Sequence, residues 1–228
     1  MIATKNITST LCEAPVRYKS ETTRLWNIIL SVITVTIGLT RLFYNAIFAK
    51  LGWGWEDWTM LAVITVGAPS AAIVDRMSIA NGLGKDVWTL SVTEIQTFAK
   101  SIYLLELLYF LEIALIKATL LLFYLKIFPC GITKRLIKAT LWFDALYGLA
   151  FFAVGVFPCQ PIHHYWTKFG GGTNGHCVDI NALVWTQAIL GIVLDIWMLS
   201  LPIYEVLRMK LSWRKRVSVA LMFFVGTL

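Results

Sequence analysis

Three charged residues stand deep within long, mostly apolar runs: Lys117, with Glu106, Glu112 and Lys126, in SIYLLELLYFLEIALIKATLLLFYLKIF (Ser101 to Phe128), Asp144 between about Leu136 and Phe157, and Asp195 between Ala182 and about Leu207. One amine and two carboxylates can form an ion pair or pass a proton. Counted from a shared membrane boundary at ~1.5 Å per residue, Lys117 lies ~14 Å deep, Asp144 ~9 Å and Asp195 ~15 Å, so the three are expected to meet. Two readings compete, a buried pair that fixes helix register and a proton relay or switch. A second set, Cys159, His163, His164, His176 and Cys177, falls in the loop PCQPIHHYWTKFGGGTNGHCVDIN from Pro158 to Asn181. Its donors would suit zinc or copper. A disulfide between Cys159 and Cys177 is preferred, because paired cysteines in an oxidising compartment are usually structural. Asp75 and Glu106, at similar depth, are expected to line an outer cavity beneath His163, His164 and His176; helix-surface solvation is the competing account. No phosphate loop, nucleophile elbow or HExxH pattern is present, so neither enzymatic activity nor a cofactor or resident metal is expected.

Positioning these side chains falls to apolar helices. Hydrophobic residues make up 58% of the 228 and charged residues 14%, with a mean hydropathy of +0.71; soluble domains run at roughly 45–50% and about 25%. The reading is an all-α, polytopic transmembrane helix bundle. A hydrocarbon core of roughly 30 Å takes about 20 helical residues. Five runs meet that length: Leu25 to about Ala49, Thr59 to about Ala80, Ser101 to Phe128, Leu136 to Phe157 and Ala182 to Leu207. A sixth, Val217 to Leu228, has twelve residues, so the sixth span is expected to be incomplete in this sequence. Residues 1–24 are read as an extracellular tail and 25–228 as the transmembrane domain. Asp144 and Gly148, and likewise Gln187, Gly191 and Asp195, recur at helical spacing and give small, polar faces suited to a neighbouring helix. The connection Asn81 to Lys100 is read as containing an amphipathic helix lying on the membrane surface.

Charge sets the expected orientation. Lys126, Lys134, Arg135 and Lys138 follow span three, and Arg208, Lys210, Arg214, Lys215 and Arg216 follow span five; such short basic loops belong on the cytoplasmic side. Five crossings then put the N-terminus outside, in agreement with the glycosylation sequon at Asn6, Ile7 and Thr8. The expected site is the plasma membrane. The net charge of +7 would suggest nucleic acid in a soluble chain, but here it resides in membrane-flanking loops, so nucleic acid is set aside. Residues 1–24 lack a signal-peptide pattern. Trp53, Trp55 and Trp58 are read as an interfacial anchor. Cys12 has no evident partner, and Cys130, at the cytoplasmic boundary, is read as a free or palmitoylated thiol.

Several blocks together resemble the fungal rhodopsin-domain integral membrane proteins, which include the membrane proteins of trichothecene-type clusters and receptor-like proteins fronted by a cysteine-rich CFEM domain. The matching pieces are Gly54-Trp55-Glu56-Asp57-Trp58, Gly82-Leu83-Gly84-Lys85-Asp86 with Trp88, and Ile116-Lys117-Ala118-Thr119-Leu120-Leu121-Leu122-Phe123-Tyr124 with Ile127-Phe128. Cys159-Gln160-Pro161 with Trp166, Gly175-His176-Cys177, and Asp195 with Leu201-Pro202-Ile203 complete the set. The resemblance implies a rhodopsin-like, seven-span bundle with its N-terminus outside, of which this sequence holds five spans and part of a sixth. It implies no retinal, since a retinal lysine belongs in the last span and Lys117 is in the third. Residues 1–24, with one cysteine, do not supply a CFEM domain.

The resulting expectation is a receptor-like membrane protein: a small molecule or surface cue binds an outer cavity, and helix movement reaches basic loops that meet a G protein or acidic lipid. The alternative is a transporter or export accessory for a small metabolite, using Lys117, Asp144 and Asp195 to carry a coupled proton.

Overall fold

The computed structural model describes residues 19–48, 54–80, 82–86, 89–128, 131–170 and 175–208. Asn6, Cys12, Trp53, Cys130, the basic cluster beyond Arg208 and the sixth apolar run lie outside the described residues. Five long helices carry the chain: α1 (Ser20–Phe48), α2 (Trp55–Ile79), α3 (Val92–Ile127), α4 (Gly131–Val156) and α6 (Ile180–Arg208). All five are long and apolar enough to cross a membrane. Between α4 and α6 sit strand β1 (Cys159–Gln160), a single turn α5 (His164–Thr167) and strand β2 (His176–Cys177).

A helix in hydrocarbon must satisfy its polar atoms internally, because lipid offers no partner. The hydroxyls of Thr34, Thr36 and Thr40 on α1 each donate to the carbonyl four residues back, at 2.8, 2.7 and 2.7 Å. Much of α1 can therefore show Leu30, Ile33, Ile37 and Phe43 outward. At the opposite pole of polarity, Asp57 is buried at the start of α2 and accepts from Asn45 Nδ2 at 2.8 Å and from the Gly54 amide at 3.1 Å. One carboxylate thus closes the α2 N-terminus and ties it to α1.

The connection before α3 corrects the sequence reading. No separate surface helix occupies Val92 to Lys100; that stretch is the first part of a continuous 36-residue α3. The cause is local. Ser91 and Glu94 form a reciprocal capping box, with the Ser91 amide donating to Glu94 Oε2 at 2.7 Å and the Glu94 amide to Ser91 Oγ at 3.3 Å, and no helix breaker follows before Phe128. The amphipathic pattern is real, but its apolar side, Ile95 and Ala99, is buried in protein. At ~1.5 Å per residue α3 is ~54 Å long, so about 24 Å of it exceeds a hydrocarbon core of about 30 Å.

α3 is the central element, packing along α2 and α4, while α1 packs on α2. Glycines let α4 come close: a Cβ on Gly148 would stand 2.7 Å from Ala114 Cβ, and one on Gly155 2.8 Å from the Phe110 ring. Near the other ends of these helices, Leu121, Tyr124, Ile137, Met198 and Leu201 form a buried cluster joining α3, α4 and α6. At that same end Lys126 on α3 pairs with buried Glu56 on α2, so one charge of the basic loop is neutralised within the protein.

Gly148→Ala tests the α3/α4 contact. Ala normally favours a helix over Gly by about 1 kcal/mol, but here its methyl overlaps a backbone-fixed Cβ, and overpacking of this kind costs about 1–3 kcal/mol. The thermal midpoint in detergent should fall, and adding Ala114→Gly should restore it.

Candidate functional site

The face of α3 turned toward α6 carries Glu106, Tyr109, Ile113, Lys117, Leu120 and Tyr124, spaced by three and four residues as one helical stripe. α4 packs on another side of α3, against Phe110 and Ala114, whereas α6 stands off this stripe and leaves a cleft of about 610 Å³, walled by Tyr109, Ile116, Lys117, Tyr147, Gln187 and Asp195 among others. Polar contacts hold the far wall. Tyr147 Oη donates to the Gln187 carbonyl at 2.9 Å, and Trp197 Nε1 donates to Thr140 Oγ1 at 3.0 Å.

Lys117 bridges the gap. Its ammonium donates to the Gly191 carbonyl at 3.0 Å and pairs with Asp195 Oδ1 at 2.9 Å. A Cβ at Gly191 would stand 3.8 Å from Nζ, an ordinary contact. The pair is lopsided, with the lysine side chain 7% exposed and that of Asp195 57% exposed. A cation is sunk in the bundle while its counter-ion borders the cleft.

Asp144 joins this group only in part. It lies on α4, 1% exposed, within electrostatic range of both Lys117 and Asp195. No ion pair joins it to Lys117 among the described residues, and its Oδ1 has no hydrogen-bond partner. The expected three-way meeting is therefore a two-member pair with a third, separate carboxyl close by. The reason is α6, which presents Gly191 and Asp195 one turn apart and takes both contacts of the amine.

A second cleft of about 460 Å³ lies toward the disulfide loop, bounded by Ser70, Glu106, Tyr109, Glu112, Tyr165 and Val184 among others. Tyr109 borders both clefts. The lid over it is built by the loop: Cys159 and Cys177 are bridged and face each other across the β1–β2 ladder. The Tyr165 ring lies 5.5 Å from Tyr103, Trp166 lies 6.1 Å from Tyr103, and Lys100 Nζ sits 5.7 Å above Trp166. Tyr165 Oη points to Glu106 Oε2 at 3.4 Å, a long hydrogen bond. Burial, reinforced by the Glu106 charge, pushes the Tyr165 hydroxyl up to about 12, so it remains a donor at neutral pH.

The outer cavity expected from the sequence is thus made of different residues. Glu106 lines it, but Asp75 does not, being held at 2.9 Å by Arg24 of α1. His163, His164 and His176 line neither cleft. The bridge and the aromatic contacts turn Tyr165 and Trp166 inward, which leaves His163 and His176 on the exposed surface and His164 against Gly175. With both sulfurs in the bridge, the Cys/His metal reading loses its thiolates. Sequence reading missed Tyr103, Tyr109, Tyr147 and Tyr165. The first two were visible as helical repeats of Glu106 and Lys117; Tyr165 had no such signal.

Residues 40–228 match the family model of the fungal rhodopsin domain. A protein of Emericella nidulans described as a SAT4 family membrane protein is 31% identical over 176 residues, covering 76% of this chain and 42% of that protein. The chain therefore spans less than half the length of that relative. No solved structure matches.

Replacing both Cys159 and Cys177 with Ala opens a loop of sequence separation 18, and a bridge over such a loop stabilises by about 3 kcal/mol in the chain-entropy picture. The pair of substitutions should lower the thermal midpoint in detergent, and reductant should lower that of the native protein similarly while leaving the variant unchanged.

Proposed function

The chain belongs to the fungal rhodopsin domain family, and from that membership we propose that it is a receptor-like, multi-pass membrane protein that binds a small molecule between α3 and α6. The observation that carries this reading is the lopsided pair. A ligand entering the cleft meets Asp195 first, and any group that competes for Asp195 releases a buried cation that α3 must then rehouse. That is a switch with a built-in cost, since an ionisable group in hydrocarbon without its partner costs about 2.5 kcal/mol or more. The cleft, about 610 Å³, falls within the roughly 300–1,000 Å³ of small-molecule sites.

In this reading the disulfide loop and the tail bearing Asn6 lie outside the plasma membrane. The opposite end carries Lys134, Arg135 and Lys138 on α4, all exposed, and would meet a G protein or acidic lipid. The chemistry of the clefts suits binding and charge movement, not bond making, so we assign no enzymatic activity.

A carrier for a small metabolite is the second reading. It is favoured by Tyr109 bordering both clefts, which sets one cleft between the disulfide loop and the other, at the depth of Lys117.

Lys117→Met separates the two. With receptor function, cells expressing the variant should lose the ligand-evoked response while metabolite uptake and efflux stay at the native level. With carrier function, flux falls at least tenfold. A variant with native response and native flux would remove the central role of Lys117 from both.

A further inference from the structure

We propose that Asp144 bears a proton while Lys117 sits on Asp195, and that it is the second seat to which the Lys117 ammonium moves when Asp195 is neutralised. This rests on the reading of the Lys117–Asp195 pair as a switch and adds where its alternative position and its proton lie.

The geometry is the argument. Asp144 is 1% exposed, and among the described residues Oδ1 has no hydrogen-bond donor and the carboxyl no ion pair. An ionised carboxylate left in that condition is far costlier than a neutral acid with one unmet bond, which costs roughly 2–7 kcal/mol in an apolar medium. The charged and titratable groups facing it are few. Lys117 comes from α3, committed to Gly191 and Asp195, and Asp195 comes from α6. Tyr147, on its own helix, gives its hydroxyl to the Gln187 carbonyl. Among the described residues Lys117 is thus the cation within electrostatic range, and it is already used.

Two charge-balanced states follow. In the first, Asp144 is a neutral acid and Lys117 is paired with ionised Asp195. In the second, the O–H bond on Asp144 breaks, the proton moves to Asp195 at the cleft wall, and the ammonium pairs with the new Asp144 carboxylate. Atoms and charge are unchanged; one proton has moved from a buried site to one that borders the cleft. Lysine carries its ammonium on a flexible four-carbon stem, which suits it to exchange between acids on neighbouring helices.

Infrared spectroscopy of the full chain in lipid nanodiscs at neutral pH, with isotope-labelled aspartate, reads the proton directly. The native protein should show the carbonyl stretch of a protonated aspartic acid, shifted by the label, and Asp144→Asn should remove it with little change in thermal midpoint. Asp195→Asn should also remove it, because Lys117 then ionises Asp144, whereas Lys117→Met should keep it. Absence of the labelled acid band in the native protein overturns the proposal, a result that needs no variant to fold. Its persistence in Asp195→Asn or in Asp144→Asn does so too. The measurement uses no ligand, so a failure here leaves ligand binding in the cleft standing, and a failure of the response or flux assay leaves the proton on Asp144 standing.

Discussion

A charged amine inside an apolar bundle must be met by protein, and the arrangement of the helices around α3 follows from how Lys117 is met. Lipid supplies neither an acceptor nor a counter-charge, so α6 has to bring both a carbonyl and a carboxylate within about 3 Å. It does so across a gap, because Lys117 has a long stem. The pair and the cleft therefore share one interval between α3 and α6.

The same helix links that pair to the disulfide loop. α3 is long enough to pass well beyond a hydrocarbon core, and its extension is where the disulfide loop docks, through Tyr103, Lys100 and Glu106. The loop needs the bridge because its own ladder, two residues in each strand, is too short to hold an aromatic lid in place. At the far end Glu56 holds Lys126 and Asp57 holds Asn45, fixing α2 to both its neighbours. One rigid element thus has a lid at one end, a clamp at the other and an ion pair between them.

The α3/α4 interface works by a different principle. Between apolar helices in a bilayer no hydrophobic gain accrues from leaving lipid, so close van der Waals contact has to hold the pair. Gly148 and Gly155 provide it by taking Ala114 and Phe110 against their backbones. Asp144 lies one turn from Gly148, which puts a carboxyl beside a close-packed seam of the bundle.

The five spans were legible because length and hydropathy alone distinguish a bilayer-crossing helix, and so was the bridge, from two cysteines in one loop. The facial grouping of Gln187, Gly191 and Asp195 was legible too, since helical period fixes which residues share a side. Depth along the bundle, and with it the approach of Lys117 to Asp195, could be counted. What counting could not give was rotation. Helical period says which residues lie on one face but not which neighbour that face meets, so Asp75 was assigned to a cavity when Arg24 takes it, and Asp144 to a pair that α6 completes without it. Nor could it give the path of the loop, where the bridge and ring packing turn Tyr165 inward and the histidines away. Those outcomes depend on contacts between residues far apart in the chain, and only the packed structure decides them.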